Sequence, residues 1–329
     1  MAELKSSPAY QAAQQNAVYI PRPNVGYLEV HSEDRVDFLQ RQTTNDLGLL
    51  MPNRAVNNVL TSATARILEI FLMLDRDEHI ALLVPPGRVD STEVFLKSHI
   101  FFMDKVEVHN HSDDWSQIEV HGPEAVDRFG ELGITQVPGL DEVIETELAG
   151  NAVSIIGIQG LTSELSYLLL TSKHSENTIL GALQNAGFKE LEQDDYQVLR
   201  IEAGQPAMGH ELTPNYTPLE SGLAHWVSDT KGCYTGQEVI ARQITYDKVT
   251  KNLIQLRLEQ MVELGAKVLV DGKTAGSITS IAISMKLGPI ALAVLKRPHN
   301  APGTAVEVEK GEERVSGSIA ILKGQTQNT

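Results

Sequence analysis

Apolar residues in the first third of the chain recur with two different periods. Tyr27-Leu28-Glu29-Val30 alternates as a strand does. The next stretch, opened by Ser32, has Glu33 and Asp34 in a first helical turn and Val36 and Leu39 on one face. Thr43-Thr44-Asn45-Asp46 ends that unit. Residues 56–60, 67–74 and 80–84 read as three further strands. The middle run, Ile67-Leu68-Glu69-Ile70-Phe71-Leu72-Met73-Leu74, is nearly all apolar and predicts a central strand covered on both sides. Pro85-Pro86-Gly87 breaks the chain, and residues 89–100 predict a helix with Val89, Phe95, Leu96 and Ile100 apolar. Val106 and Val108 then alternate with Glu107 and His109 in a half-buried strand.

The pattern repeats. Leu28-Glu29-Val30-His31 and Val36-Asp37 are echoed without a gap by Ile118-Glu119-Val120-His121 and Val126-Asp127. In the second copy Pro123 is expected in the first helical turn, where its missing N–H costs nothing. Two similar α+β lobes facing one another follow. His31 and His121 stand at equivalent strand ends. Paired histidines invite a metal, but neither has neighbours in sequence at metal-ligand spacing, so no metal is expected. Residues 153–158 and 167–170 predict strands. Residues 178–186 predict a helix closed by Gly187. Residues 196–203 predict another, capped by Asp194 or Asp195 and closed by Gly204. A long loop with Pro214 and Pro218 comes next, of the kind that usually carries function. From about Lys251 short strands alternate with turns such as Asp271-Gly272, as in a small antiparallel barrel or sandwich.

The expected organisation is therefore α+β: a polar N-terminal arm over 1–24, a first lobe over 25–110, a second over 111–249, a β domain over 250–324 and a tail over 325–329. The two lobes are free to interleave in space. A chain of 329 residues can bury cores of this size. Its formal charge of −16, with no Lys/Arg cluster, argues against nucleic acid as a partner. No apolar run is long enough to span a bilayer, and residues 1–16 lack the apolar segment of a secretory signal. A single cysteine leaves no internal disulfide and fits a reducing cytoplasm.

That cysteine lies in Lys231-Gly232-Cys233-Tyr234-Thr235-Gly236-Gln237-Glu238. Thr235 and Glu238 read as a capping box opening a helix. Cys233 would then lie near the positive end of the helix dipole, beside Lys231, with glycines leaving the sulfur reachable. These features favour a thiolate. The bland alternative is an inert, buried cysteine.

Residues 231–242 resemble the signature of the YgfZ family, folate-binding proteins associated with making or repairing iron–sulfur clusters and related to the glycine-cleavage T-protein, an aminomethyltransferase. Residues 38–46, 199–204, 209–212 and 217–223 resemble T-protein segments more loosely. The resemblance covers roughly residues 25–325. It implies three domains around a central opening, the last an antiparallel barrel, with tetrahydrofolate or a derivative as cofactor. It casts Cys233 and Lys231 as catalytic. Tyr234, or else Tyr27 or Trp226, would give the pterin an aromatic face, and Gln237 and Arg200 would contact its edge or tail. The sequence departs from the T-protein at two places. Its paired aspartates become Glu69-Ile70, and its pterin-holding acid becomes Leu168, with Glu164 one turn away as a substitute. These losses argue against aminomethyl transfer. The expected function is a tetrahydrofolate-binding protein that assists cluster assembly or repair through Cys233. Its partners would be cluster proteins or assembly factors, with no membrane, and the chain a monomer or weak dimer. One thiolate cannot hold a cluster alone, so a partner must complete it. The alternatives are a one-carbon transferase using Glu69 and Glu202, and a non-catalytic adaptor.

Overall fold

The computed structural model describes residues 7–163 and 165–320. Glu164, the expected tail and the last four residues assigned to the β domain lie outside the described residues. The chain opens with α1 (Pro8–Gln15) and β1 (Val18–Pro21). β2 (Gly26–His31), α2 (Arg35–Gln42), β3 (Val56–Thr61), β4 (Ile67–Asp75), β5 (His79–Val84), α3 (Val89–Ser98) and β6 (Glu107–Asn110) follow. β2 to β6 form an antiparallel sheet in the order β3-β4-β5-β2-β6. β4 is thus second from one edge rather than central.

The second lobe contains β7 (Trp115–His121), α4 (Ala125–Glu131), β8 (Val143–Leu148), β9 (Asn151–Gln159), β10 (Leu165–Ser172), α5 (Glu176–Asn185), β11 (Lys189–Glu190) and α6 (Gln193–Ala203). Its sheet runs β11-β1-β7-β10-β9-β8 and so recruits β1 from the N-terminus. The expected polar arm is therefore only partly an arm. Ser7 accepts the N–H of Tyr10 and Pro8 opens the helix, which suits both residues to a helix start. Tyr10, Ala12 and Ala13 pack with Val18, Ile20 and Leu199. β1 then pairs antiparallel with β7 and parallel with β11.

The repeated sequence gives the same strand–turn–helix twice, β2–α2 and β7–α4. Its turn differs from expectation. Ser32 does not cap α2 but takes a positive φ of 79°, and Gly122 takes φ 112° at the matching place. Pro123 lies in that turn, before α4 begins. Nor does Asp194 or Asp195 cap α6, whose N-cap is Glu192, whereas Gly204 closes that helix in the left-handed conformation. Strand alternation directs each lobe's core. Leu28 and Val30 face α2 and α3 with Phe38, Leu39 and Leu96. Ile118 and Val120 face α4 and α5 with Phe129, Ile179 and Leu183. The opposite faces of the two sheets meet each other through Tyr27, Leu74 and Leu83 against Ile156, Leu168 and Leu170. Tyr27 is stacked on Trp115 at 4.7 Å, so it is core and not a ligand platform.

After a long loop, α7 (Gln237–Thr245) leads to β12 (Lys251–Leu258), β13 (Lys267–Val270), β14 (Lys273–Ser284), β15 (Gly288–Lys296), β16 (Ala305–Lys310) and β17 (Glu313–Ala320). They close into a barrel, β12-β15-β14-β13-β16-β17, which settles the choice between barrel and sandwich and leaves no free edge. Gln255 of β12 donates to the carbonyls of Ile201 and Glu202, docking the barrel on the end of α6.

A chain truncated to begin at Arg22 loses Val18, Tyr19 and Ile20, which are at most 3% exposed. At about 1.5–3 kcal/mol per buried side chain this removes about 5 kcal/mol. The melting temperature should fall by about 10 °C or more in a thermal scan. A truly loose arm would leave it unchanged.

Candidate functional site

A cavity of about 370 Å³ opens between the facing sheets, α6 and the loop after it. One wall is apolar, formed by Ile70, Phe71 and Leu72 of β4, Leu83 of β5 and Leu168 of β10. Both positions that have lost a carboxylate expected from the T-protein resemblance, 70 and 168, face this space as hydrocarbon. Glu69 points the other way. It is buried and accepts from Arg88 Nε at 2.9 Å, Thr92 and the Ile70 N–H. Burial raises its carboxyl, against these donors. Glu202 also lies elsewhere, bonded to Tyr10 at 2.5 Å. Neither residue assigned to the transferase alternative reaches the cavity.

The polar wall was not anticipated. Glu119 of β7 sits across from Leu168 in the register, on the face opposite the lobe's core. Arg22 Nε pairs with it at 3.2 Å, and His121 Nε2 lies 3.1 Å away. Burial raises the Glu119 carboxyl, but Arg22, His121 and Tyr196 together hold it down to about 2. It is an anion at every physiological pH. The Arg22 guanidinium also lies 4.4 Å over the Tyr196 ring, a cation–π contact. Arg22 Nη1 is buried and has no hydrogen-bond partner among the described residues. The cavity wall thus brings together a fixed acceptor and an aromatic ring, with the buried, unpaired Arg22 Nη1 beside them. The repeat flagged Glu119 as a polar strand position, but Arg22 stood in the supposed arm, and nothing in the sequence tied Tyr196 to either.

The residues chosen from sequence are dispersed. Arg200 lines the cavity, but its guanidinium is occupied. It donates to Gln197 Oε1 at 2.6 Å, Ser280 Oγ at 2.8 Å, Gln205 O at 3.2 Å and Glu211 Oε2 at 3.3 Å. Lys231, Cys233, Tyr234 and Gln237 do not line the cavity. Lys231 reaches the Thr43–Asp46 turn, and Tyr234 packs on Ala65 of the β3–β4 hairpin. Cys233 is exposed and unpaired, which removes the buried-cysteine alternative. Tyr234 is buried with Ala65 and Ile240, its hydroxyl pushed up to about 12 by burial and then by Asp229, so it serves as core. Trp226 packs around Val59 and Leu212, outside the cavity.

The expected capping box does not form. α7 begins at Gln237, and its N-cap is Gly236, at φ 87°. A Cβ there would lie 2.7 Å from Ser62 O, so only glycine fits. Thr235 is used otherwise, donating its N–H to Arg41 O and accepting from Thr61 Oγ1 at 2.6 Å. Glu238 pairs with Arg242. Lys231 donates to Thr43 O and Asn45 O, both at 2.7 Å, and to Gln40 at 3.3 Å. Burial pushes its ammonium down to about 8, against Asp46. At about 8 it remains mostly charged at neutral pH, and the three oxygens make Lys231 the pin that holds the cysteine loop on the first lobe.

Residues 8–231 match the GCVT N-terminal domain, and residues 251–322 the glycine cleavage T-protein C-terminal barrel domain. A chloroplastic protein of Arabidopsis thaliana that is named as a transferase is 29% identical over 314 residues, 95% of this chain and 72% of the relative. The aminomethyltransferase of Bacillus subtilis (strain 168) is 27% identical over 311 residues, 90% of this chain and 84% of the relative. Among solved structures, the glycine cleavage system aminomethyltransferase T from Bartonella henselae shares the fold, with a TM-score of 0.84 at 18% identity over 95% of this chain and 88% of its own. No helix among the described residues is long and apolar enough to cross a membrane.

Lys231→Met should strand the Thr43 and Asn45 carbonyls and cost about 1–3 kcal/mol in denaturant unfolding. The pH dependence carries its own sign. The folded value of about 8 lies below the ordinary lysine value of 10.5, so the folded state releases this proton first. Between those values the unfolded chain binds more protons, and stability contributed by this group rises with pH. The wild type should therefore gain on Lys231→Met as pH rises through that window.

Proposed function

We propose that this chain, which belongs to the glycine cleavage T-protein family, binds tetrahydrofolate or a close derivative in the central cavity and assists iron–sulfur cluster assembly or repair through Cys233, as YgfZ-type members do. The observation that carries the folate reading is the Arg22–Glu119 pair on the cavity wall. A pterin presents an amino group and a ring N–H as donors beside a carbonyl acceptor. The Glu119 anion accepts from the first two, and the unused Arg22 Nη1 donates to the third. Tyr196 and the apolar wall take the flat ring. The volume lies within the ~300–1,000 Å³ of small-molecule sites.

The cluster reading rests on Cys233. It is solvent-exposed on a loop held by Lys231 and is the chain's one thiol. As a thiolate it supplies one ligand to iron or a transient hold on sulfur. Clusters take four thiolates in most cases, so the other ligands come from a cluster protein or assembly factor. A reducing compartment, the cytoplasm, is the setting, and the chain acts as a monomer or weak dimer. Aminomethyl transfer is the second reading, favoured by the names of the relatives. Hydrocarbon at positions 70 and 168 and the withdrawal of Glu69 toward Arg88 weigh against it.

Calorimetric titration with tetrahydrofolate under reducing conditions should give one site per chain. Glu119→Gln should weaken it by about tenfold or more, the value of a hydrogen bond to a charged group. No binding at millimolar ligand would leave the adaptor reading. Cys233→Ser should keep the folate affinity but lose the ability to restore a cluster-dependent enzyme in cells lacking this protein. Full restoration by that variant would end the thiol role. An assay for methylenetetrahydrofolate formed from an aminomethyl donor should read zero, and turnover there would favour the transferase.

A further inference from the structure

We propose that Glu29, His31, His79 and His111 form a binding site for a divalent transition-metal ion of the zinc class, on the first sheet and apart from the central cavity. Of the chain's 10 histidines, His31, His79 and His111 collect around one carboxylate, Glu29, and His109 packs edge-on against His31. The sheet register explains the convergence. Glu29 and His31 are two apart on β2 and so share a face. His79 of β5 pairs directly with His31, and His109 of β6 with Glu29. His111 follows β6, its N–H bonded to Tyr27 O.

The donor spacing suits a metal. Glu29 Oε2 lies 2.8 Å from His31 Nε2 and 3.7 Å from His111 Nε2, and Glu29 Oε1 lies 3.5 Å from His79 Nε2. Bonds of about 2.0–2.1 Å to tetrahedral zinc put donors about 3.3 Å apart. The ligand atoms of Glu29, His31 and His79 all fall within 4.8 Å of one another. Two further observations point to a missing ligand. His79 Nε2 is buried and has no hydrogen-bond partner among the described residues, an expensive arrangement unless something binds there. His111 Nδ1 is held by Asp114 at 3.1 Å, which turns Nε2 toward Glu29. A carboxylate behind a histidine is the usual outer support of a metal-binding imidazole. Arg76, the nearby cation, is drawn off by Glu145 at 2.6 Å and Ser154 at 2.8 Å on the second sheet. His109 is held by Glu107 at 3.2 Å and is not needed as a ligand. Imidazole-rich sets with one carboxylate favour zinc, nickel or copper over calcium or magnesium.

The equivalent place in the second lobe shows the contrast. Glu119 and His121 repeat Glu29 and His31, but there the carboxylate pairs with Arg22, and His121 Nδ1 meets Ser166 at 2.8 Å. Both ring nitrogens of His121 are engaged, and no histidine cluster forms.

The test uses the tag-free full-length chain, stripped with a chelator and titrated with zinc chloride by calorimetry and with cobalt(II) by absorbance. One equivalent per chain is expected, with a tetrahedral cobalt spectrum and a rise in melting temperature on zinc addition. Cys233→Ser should bind unchanged. His31→Ala and His79→Ala should each lower affinity by at least tenfold, and Asp114→Asn by about tenfold. His109→Ala should have little effect. Circular dichroism checks that each variant folds, and if the ligand variants do not, Asp114→Asn decides. Uptake that is unchanged in the His31→Ala, His79→Ala double variant or in Asp114→Asn, uptake lost in Cys233→Ser, or no stoichiometric uptake at all would overturn the proposal.

Discussion

Arg200 and Glu211 are 3% and 0% exposed and face each other at 3.3 Å. Arg200 comes from α6, Glu211 from the loop that follows it, and Ser280, which bonds to both, from the barrel strand β14. The three side chains tie three parts of the chain at one buried point. Removing one partner of such a pair leaves an uncompensated charge and costs about 3–5 kcal/mol. Desolvation lowers the Arg200 guanidinium and Glu211 opposes that shift, so each ion depends on the other. The clamp also sets the far wall of the cavity, because the loop it holds carries Ala207, Met208 and His210. His210 adds a bond to Thr279 O of the barrel at 3.1 Å. A residue type that suits ligand contact is here committed to architecture.

The two Glu-Val-His units show how one local sequence acquires two chemistries. Both end a strand, both precede the same turn and helix, and both direct the acid and the imidazole away from their lobe's core. What differs is the neighbour. The N-terminal segment crosses the second sheet as β1 and delivers Arg22 to Glu119. The first sheet has β5 and β6 beside β2, and they deliver histidines to Glu29. The repeated unit gives the same scaffold twice, and the pairing of strands decides which side chains each copy meets.

The cysteine loop follows a similar logic. Lys231 was chosen from sequence as a charge beside the thiol. The fold draws its ammonium onto the Thr43 and Asn45 carbonyls instead, because those buried oxygens need a donor. The consequence is a fixed base under a solvent-exposed sulfur. The thiol does not line the cavity between the lobes, so the two halves of the proposed function lie at different places.

Strand period, helix period and turn residues determined the α+β class, the internal repeat and the chain of short strands that closes as a barrel. Those signals are local: side chains two or four apart already report which face meets the core. The loss of acids at positions 70 and 168 was also legible through the T-protein resemblance, whereas the exposure of Cys233 was left open until the fold placed it. Burial roles for Tyr234 and Arg200, the strand hidden in the polar arm, and the meeting of Arg22, Glu119 and Tyr196 were not. They depend on which strand lies beside which, and residues 22, 119 and 196 are far apart in the chain. Only tertiary pairing decides what an ionised or aromatic side chain finds at 3–5 Å, and that neighbour, more than the residue type, determines what it can do.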